Sequence, residues 1–429
     1  MTLQLRVYIG LVLFAGGVLA AGLLLRDRTV PFDSAAFIDQ LDDDAVVARG
    51  AYLATAGNCA GCHTTEQGAA LAGGHAFQTP FGVLHSTNIT QDPEAGIGAW
   101  SLDDFARAMR SGKRPNGEHL YPAFPYTAYT QLEDADIAAL FAYLRTIPAD
   151  STIAPDNDLR FPYSQRWLLR PWKALYLQEG PRERTGTDAL QARGAYLVEA
   201  LSHCSACHSP RSGLGAERED AHLAGGSYTD HVPGGASVRW SAPNLTSDAR
   251  GLGLWSEDEI AAYLRSGRNR HVEVFGPMRA VVLASTRHLS EDDQRAMARY
   301  LANVPARAEP TAPAADRRTL GRGRTVYNLH CGTCHLPTGE GDAEMAPRLD
   351  RGSLIVQDSD PAALLNVILY GPALAMRASG SPWRTPMDHY RYELDDEEIA
   401  AVATYVRNSW GNAAGVVLPA AVAAQRAEP

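Results

Sequence analysis

Apolar side chains recur at intervals of three and four residues in three stretches of the chain, and each stretch predicts an amphipathic helix. The stretches are residues 133–146, 290–303 and 395–408. In the first, the apolar residues are Ile137, Leu140, Phe141 and Leu144. This spacing puts them on one face of a helix, where they can pack against a neighbouring element. The three stretches therefore predict three helical cores of similar construction.

Two further helices are indicated by their boundary residues. Ser101 and Ser256 each precede a run of acidic residues, which is typical of a helix N-cap followed by a negatively charged first turn. A glycine follows eleven residues later in both places, at Gly112 and Gly267. These glycines predict the ends of the same two helices.

The predicted helices belong to a repeated module. The sequence Ala-Arg-Gly-Ala-Tyr-Leu occurs at 48–53 and again at 192–197, and a weaker version, Gly-Arg-Gly-Arg, occurs at 321–324. The first two copies stay parallel further along, with Leu-Ala-Gly-Gly at 71–74 and at 223–226. Self-similarity of this kind predicts tandem copies of one domain.

The repeats divide the chain into seven segments. We expect an N-terminal segment at 1–28, domains at 44–150, 187–305 and 316–412, connecting segments at 151–186 and 306–315, and a tail at 413–429. The first connecting segment is rich in proline and aromatic residues, and it either packs back onto a domain or faces a partner or the membrane surface. The tail is apolar and rich in alanine, and is either a short docking helix or loose chain.

The N-terminal segment contains an uncharged stretch at 7–25, with charged residues on both sides. A helix of this length, at about 1.5 Å per residue, just spans a hydrocarbon core of roughly 30 Å. A signal peptide cleaved after Ala20 is the alternative. The length of the stretch favours a retained transmembrane helix with its N-terminus in the cytoplasm.

Composition narrows the class of protein. The 429 residues are 45% hydrophobic, which permits packed cores, and the formal net charge is −10. A negative charge of this size argues against binding nucleic acid through a general basic surface. Because the sequence contains nothing like a hydrolytic triad, a phosphate loop or a dinucleotide fingerprint, we expect no catalytic site of its own.

All six cysteines lie in three copies of the motif Cys-x-x-Cys-His. The copies are Cys59, Cys62 and His63, then Cys204, Cys207 and His208, then Cys331, Cys334 and His335. In this motif the two thiols add across the vinyl groups of a c-type haem, and the histidine binds the iron. A zinc site would need further ligands for each metal, and no cysteine is left over. The sequence therefore predicts three haem c groups.

A helix before each motif and a second helix packing across it describe a small cytochrome c domain. The predicted fold is therefore all-α, with three tandem cytochrome c domains after an N-terminal transmembrane helix. In bacteria, haem c is attached outside the cytoplasm. We therefore expect the chain to be anchored in the inner membrane with its bulk in the periplasm.

Electron-transfer haems of this kind need a sixth ligand, usually methionine or histidine, from a loop before the last helix. The second module offers Met278 in Gly-Pro-Met, and the third offers Met387 in Thr-Pro-Met. We assign these two residues, the latter in preference to Met345 and Met376. The alternative role for each methionine is filling a gap in the core.

The first module departs from this pattern. Phe124 occupies the place where the ligand is expected, and phenylalanine cannot bind iron. Met109, His119 and His85 are the candidates for a replacement. Otherwise the first iron has only five ligands.

At this point the sequence resembles a known family, the triheme cytochrome c subunits of bacterial membrane-bound dehydrogenases. The resemblance rests on Ser-Thr-Asn-Ile-Thr at 86–90, Gly-Ile-Gly-Ala-Trp at 96–100, His-Leu-Tyr-Pro at 119–122 and Arg-Asn-Ser-Trp-Gly-Asn at 407–412. It implies a subunit that takes electrons from a catalytic subunit of the molybdenum, flavin or quinoprotein type and passes them to ubiquinone or another acceptor. The alcohol dehydrogenase branch generally has methionine where this chain has Phe124. The phenylalanine version resembles the molybdenum hydroxylase branch.

Two other functions compete with the electron-transfer subunit. One is a haem enzyme or sensor that uses an open first haem, as peroxidases do, and Phe124 motivates it. The other is a free-standing anchored cytochrome that shuttles between respiratory complexes. The type of catalytic partner is not encoded in this chain.

Overall fold

The computed structural model describes residues 30–181, 188–231, 237–308, 313–342, 345–372 and 387–427. Helices dominate these residues, but two small antiparallel sheets accompany them. The prediction of an all-α fold is therefore wrong. The strands arise because the long loops after the first and second motifs fold back on themselves and satisfy their backbone groups by pairing.

An N-terminal transmembrane helix is not supported either. The predicted stretch at 7–25 lies outside the described residues. Within the described ranges, no helix is both long enough and apolar enough to cross a bilayer.

Each module is built on two helices in close contact, a leading helix before the motif and a closing helix at the end. The leading helices are Asp44–Ala56, Ala189–Ala195 with a π-helical continuation over Tyr196–Leu201, and Arg317–His330. The closing helices are Asp134–Leu144, Glu291–Ala302 and Asp396–Arg407. The closing helices confirm the three predicted apolar stretches to within two residues at each end.

The leading helices begin in the same way in all three modules. The carboxylates of Asp43, Asp188 and Asp316 each accept a hydrogen bond from a backbone N–H of the first turn. Such caps satisfy donors that have no partner inside the helix.

A glycine in each leading helix lets it approach the closing helix. A Cβ added at Gly50 or Gly194 would lie 1.9 Å from a carbonyl oxygen of the closing helix, and one at Gly323 would lie 2.1 Å away. Only a residue without a side chain fits at this separation. The crossing is therefore the same in the third module, although its sequence repeat is weak.

The first two modules each contain a second long helix. These helices are Leu102–Ser111 and Glu257–Ser266. Ser101 and Ser256 form capping boxes with the third residue of the helix, and the helices end at Gly112 and Gly267, with φ of +60° and +74°. The predicted boundaries are confirmed at both ends.

The shorter helices complete the modules. The motif helices are Cys59–His63, Ser205–His208 and Gly332–His335. The others are Tyr126–Tyr129, Leu169–Tyr176, Pro277–Ala284, Leu354–Gln357, Ala362–Tyr370 and Pro419–Ala427. Single 3₁₀ turns occur at Ser34–Ala36, Ile38–Gln40, Arg166–Leu168, Glu219–Ala221, Leu252–Leu254 and Thr286–His288.

The strands tie the loops to the modules. They are β1 (Ala76–Thr79), β2 (Gly82–His85), β3 (Asp158–Leu159), β4 (Gly226–His231) and β5 (Ser237–Ala242). β1, β2 and β3 form one antiparallel sheet in that order, and β4 pairs with β5. Because β3 belongs to the first connecting segment, that segment packs back onto the first module.

Not all of the connecting segment is covered. Trp172 donates its indole N–H to the carbonyl oxygen of Leu214 at 2.9 Å, and Lys173 is buried. Phe161 and Trp167, in contrast, are 82% and 65% exposed. The segment thus has one face on the protein and one face exposed to solvent.

The tail folds as the docking helix Pro419–Ala427. Val422 is fully buried, and the Tyr370 hydroxyl donates to the carbonyl oxygen of Gln425 at 3.0 Å. Of the two alternatives for the tail, the structure contains the docking helix.

The cores separate the modules into two groups. Leu53 and Ile137 of the first module belong to the same buried cluster as Leu197 and Met297 of the second. The third module has its own cluster around Tyr327. The first two modules therefore share one core. The third has a core of its own and meets the second module through a small cluster of Val238, Trp240 and Ala363.

Candidate haem sites

The three motif helices place six free thiols at the edge of the cores. Burial raises the pKa of Cys59, of Cys204 and of Cys331 to about 12. Thiols in such surroundings stay protonated and uncharged. The setting is apolar, as expected for a site that receives a porphyrin.

Each motif histidine is held by a backbone carbonyl at its Nδ1 atom. The Nδ1-to-oxygen distances are 2.6 Å from His63 to Thr87, 2.8 Å from His208 to Pro243 and 2.9 Å from His335 to Pro347. When Nδ1–H donates to the carbonyl, Nε2 keeps its lone pair and can bind iron. Burial lowers the pKa of all three imidazoles, which favours the neutral form that coordinates metal.

Sequence reasoning missed these carbonyl partners, although a signal for two of them was present. In the first two modules the partner residue directly precedes an Asn-x-Thr repeat. The side-chain oxygen of Asn88 accepts from the N–H of Thr90 at 2.8 Å, and Asn244 accepts from Thr246 at the same distance. The repeat therefore fixes the turn that presents the carbonyl to the histidine.

The first and second motifs face one continuous cavity of about 2250 Å³. Its lining includes Cys59, Cys62, His63, Cys204, Cys207 and His208. Apolar side chains from both modules complete the wall, among them Leu140, Leu201, Leu264 and Leu301. Thiols, a neutral imidazole nitrogen and a large apolar space are the requirements of covalently attached haem, so the residues fit that group.

The distal loops of the first two modules also reach this cavity. Met278 lines it from the first turn of the helix Pro277–Ala284. Phe124 lines it from the first module, with its ring 5.4 Å from that of Tyr129. The lining thus includes a methionine thioether from the second module and a phenyl ring from the first.

The three replacement candidates for the first module do not share one location. Met109 is buried and lines the cavity from the second helix. His85 also lines it, with its Nδ1 3.0 Å from the carbonyl oxygen of Asp156. His119 is buried as well, but it is not among the residues lining the cavity. The structure therefore brings Met109 and His85 to the site, and it does not bring His119 there.

The third site is built from the separate core. Met387 and Cys331 both pack at the edge of that core, whereas Met345 is 42% exposed. Met376 and the residues just before Met387 lie outside the described part of the chain. Met387 is thus placed in the same module core as the attachment cysteine.

Comparisons with known proteins agree with this construction. A sequence model of the cytochrome c family matches residues 47–148 and 320–410. The gluconate 2-dehydrogenase cytochrome c subunit of Pantoea cypripedii is 37% identical over 90% of this chain and 90% of its own length. The alcohol dehydrogenase (quinone) cytochrome c subunit of Gluconobacter oxydans is 38% identical over 86% of this chain and 80% of its own.

A third relative has a different overall length. A nicotinate dehydrogenase subunit from Pseudomonas putida is 41% identical over 85% of this chain, but the match covers only 30% of that protein. With thiols, carbonyl-held histidines and an apolar cavity in the expected places, and with two relatives matched over most of their length, the chain belongs to the family of cytochrome c subunits of bacterial dehydrogenases.

Proposed function

We propose that this protein is the electron-transfer subunit of a dehydrogenase complex and carries three covalent haem c groups. The observation that carries the proposal is the motif histidine, held at Nδ1 by a carbonyl in all three modules with Nε2 left for iron. Haem supplies reversible one-electron chemistry when it is bound. The chain supplies attachment by the six cysteines and an apolar wall.

Three haem sites along one chain suit a path for electron transfer from a donor to an acceptor. Met278 is the proposed sixth ligand in the second module, because it lines the cavity that the motif faces. Met387 is proposed for the third, because it packs against the same core as Cys331. Methionine ligation raises the reduction potential of a c-type haem. The domains proposed for the three haems are 44–150, 187–305 and 316–412.

The proposed electron donor is the catalytic subunit of a dehydrogenase, as the names of the relatives suggest. The sequence resemblance implies a subunit of the molybdenum, flavin or quinoprotein type. The proposed acceptor is ubiquinone or another respiratory acceptor. Because haem c is attached outside the cytoplasm, we place the protein at the periplasmic side of the bacterial inner membrane.

Co-purification tests this function. The native protein is extracted gently, and both its haem content and the subunits that accompany it are determined by mass analysis. Three covalent haems and a stoichiometric dehydrogenase subunit are expected. Three haems on a chain that never co-purifies with a catalytic subunit would instead establish the free-standing shuttle.

Phe124 favours a second candidate, a haem enzyme or sensor with an open first site. Its phenyl ring lies in the cavity where the second module presents Met278. Carbon monoxide added to the reduced protein distinguishes the two functions. Rapid binding to one haem in three would support the open site, and an unchanged visible spectrum would eliminate it.

A further inference from the structure

The first and second modules exchange hydrogen bonds in a reciprocal pattern. Within each module, an arginine of the leading helix binds an aspartate of the closing helix. Arg49 Nε donates to Asp136 at 2.6 Å, and Arg193 Nε donates to Asp293 at 2.8 Å. Both aspartates are buried.

A tyrosine three residues after each arginine then crosses to the other module. The Tyr52 hydroxyl donates to Asp293 at 2.6 Å, and the Tyr196 hydroxyl donates to Asp136 at 2.5 Å. The two bonds are equivalent, since each module donates one tyrosine hydrogen bond to the other and accepts one from it. The spacing Arg-x-x-Tyr is present in both sequence repeats.

The exchange holds the two attachment sites side by side. The helix Pro277–Ala284, which carries Met278, packs against the motif helix Cys59–His63 of the first module. In return, the Tyr129 ring of the first module lies 5.6 Å from the His203 ring, edge to face. Each distal loop thus packs against the attachment segment of the other module.

Hydrogen bonds from the second module reach the end of the first leading helix. Ser202 and Ser285 both donate to the carbonyl oxygen of Ala56, each at 3.0 Å. Ala56 and Ser285 are almost completely buried, so the junction beside the first motif is closely packed.

The third module meets the second differently. Most of its core is its own, but Ala363 packs with Val238 and Trp240 of the second module. An ion pair between Arg239 and Asp360 and a bond from the Trp255 indole to the carbonyl oxygen of Gly352 at 2.9 Å add to this contact. Within the described residues, the lining of the shared cavity includes none of the third motif.

We propose that Tyr52 and Tyr196 are positioning residues that hold the first two haem sites as one electrostatically coupled redox pair, while the third site titrates on its own. Charges in a poorly solvated interior interact more strongly than charges in water. Gain of an electron at one site of the pair therefore lowers the electron affinity of the other, as it does for interacting titratable groups. This inference rests on the proposed function.

The test is a redox titration of the full haem-loaded chain, followed by visible and electron paramagnetic resonance spectra. Native protein is compared with Tyr52→Phe/Tyr196→Phe and with Tyr300→Phe. The last variant is a matched control, because the Tyr300 hydroxyl donates to the Glu199 carboxylate at 2.6 Å within the second module. Each variant replaces a tyrosine hydroxyl that binds a carboxylate, but only the double variant breaks the bonds between modules.

In the native protein, a ferric haem of the pair should relax faster while its neighbour is also ferric. In the double variant this enhancement should decrease and the two midpoint potentials should move towards each other, with the third potential unchanged. Tyr300→Phe should keep native values. A double variant that retains the native enhancement and the native potentials overturns the proposal.

Two further measurements distinguish a failure of the proposed function from a failure of the proposed coupling. Haem content is determined first, and fewer than three haems in the native protein would contradict the proposed function rather than the coupling. If the double variant does not fold, the single variants Tyr52→Phe and Tyr196→Phe are measured, and each should weaken the coupling partially. Native coupling in both single variants would overturn the proposal as well.

Discussion

The first and second modules share a scaffold and differ at one functional position. Their leading and closing helices cross at equivalent glycines, their second helices start at equivalent capping boxes, and their motif histidines bind equivalent carbonyls. In the shared cavity, however, the second module presents Met278 and the first presents Phe124. A common frame can therefore carry a methionine or a phenylalanine at the distal position, because that position depends on one loop residue and the frame does not.

The largest expected effect comes from removing the thiols of one motif. Cys59→Ala/Cys62→Ala should lower covalent haem content by one of three, and Cys204→Ala/Cys207→Ala should do the same. The reason is that the thioether bonds are the only covalent link to the porphyrin. Pyridine haemochrome absorbance measures the content. Unequal losses from the two variants would show that the two sites are not equivalent in attachment.

Exchanging the distal residues should reverse the difference between the modules. Phe124→Met is expected to give the first haem a sulfur ligand and to raise its potential, by some part of the roughly 0.8 V range that axial ligands span. Met278→Phe should lower the potential of the second haem. Spectroelectrochemistry and the weak sulfur-to-iron band at the red end of the oxidised spectrum provide the measurement.

A methionine introduced at another position in the cavity provides the control for that exchange. Phe105 also lines the cavity, but it lies on the second helix rather than in the distal loop. Phe105→Met should leave the potential of the first haem near its native value. An equal rise in the potential of the first haem in Phe124→Met and Phe105→Met would mean that position 124 in the distal loop is not the ligand position.

The helix crossings should respond alike in both modules. Gly50→Ala and Gly194→Ala each force a methyl group to within 1.9 Å of a carbonyl oxygen, and each should lower the free energy of unfolding by about 1–3 kcal/mol. Gly321→Ala is the control, because no atom lies within 4 Å of its added Cβ and it should stabilise by about 0.5–1 kcal/mol. Chemical denaturation of the haem-loaded protein measures all three, and a loss in only one module would break the equivalence of the scaffolds.

The smallest effect is expected at the helix caps. Ser101→Ala and Ser256→Ala should each lower the free energy of unfolding by about 1 kcal/mol, since a backbone N–H loses its acceptor. Ser101→Gly and Ser256→Gly should lower it by only a few tenths of a kcal/mol. Thermal unfolding provides the comparison, and a glycine variant as unstable as the alanine variant would argue against the cap.

Local signals in the sequence predicted the helices and the motifs well. The apolar face of 133–146 and the stops at Gly112 and Gly267 depend on contacts within a few residues, so the pattern was enough. The strands were missed because β1 and β2 contain no clear alternation of apolar and polar residues. These two strands pair as a local hairpin, and only β3 comes from a segment more than seventy residues later.

The residues of the candidate site also fall into two groups, those that local sequence predicts and those that depend on the tertiary structure. The cysteines and histidines were predicted from their spacing. Met278, predicted from its place before the closing helix, lines the same cavity. The carbonyl of Pro243 and the reach of Tyr52 into the second module depend on tertiary placement. No local pattern specifies which module a tyrosine will contact, so the shared cavity could not be predicted from the repeats alone.

Because the first two modules share one cavity wall, their sequences are constrained to change together. A substitution near Leu140 or Leu264 changes the surroundings of both motifs at once, because both side chains line the same space. Duplication of a cytochrome domain is often pictured as adding an independent part. Here each copy supplies part of the wall around the other copy's motif, so deleting either one would expose apolar surface on the other.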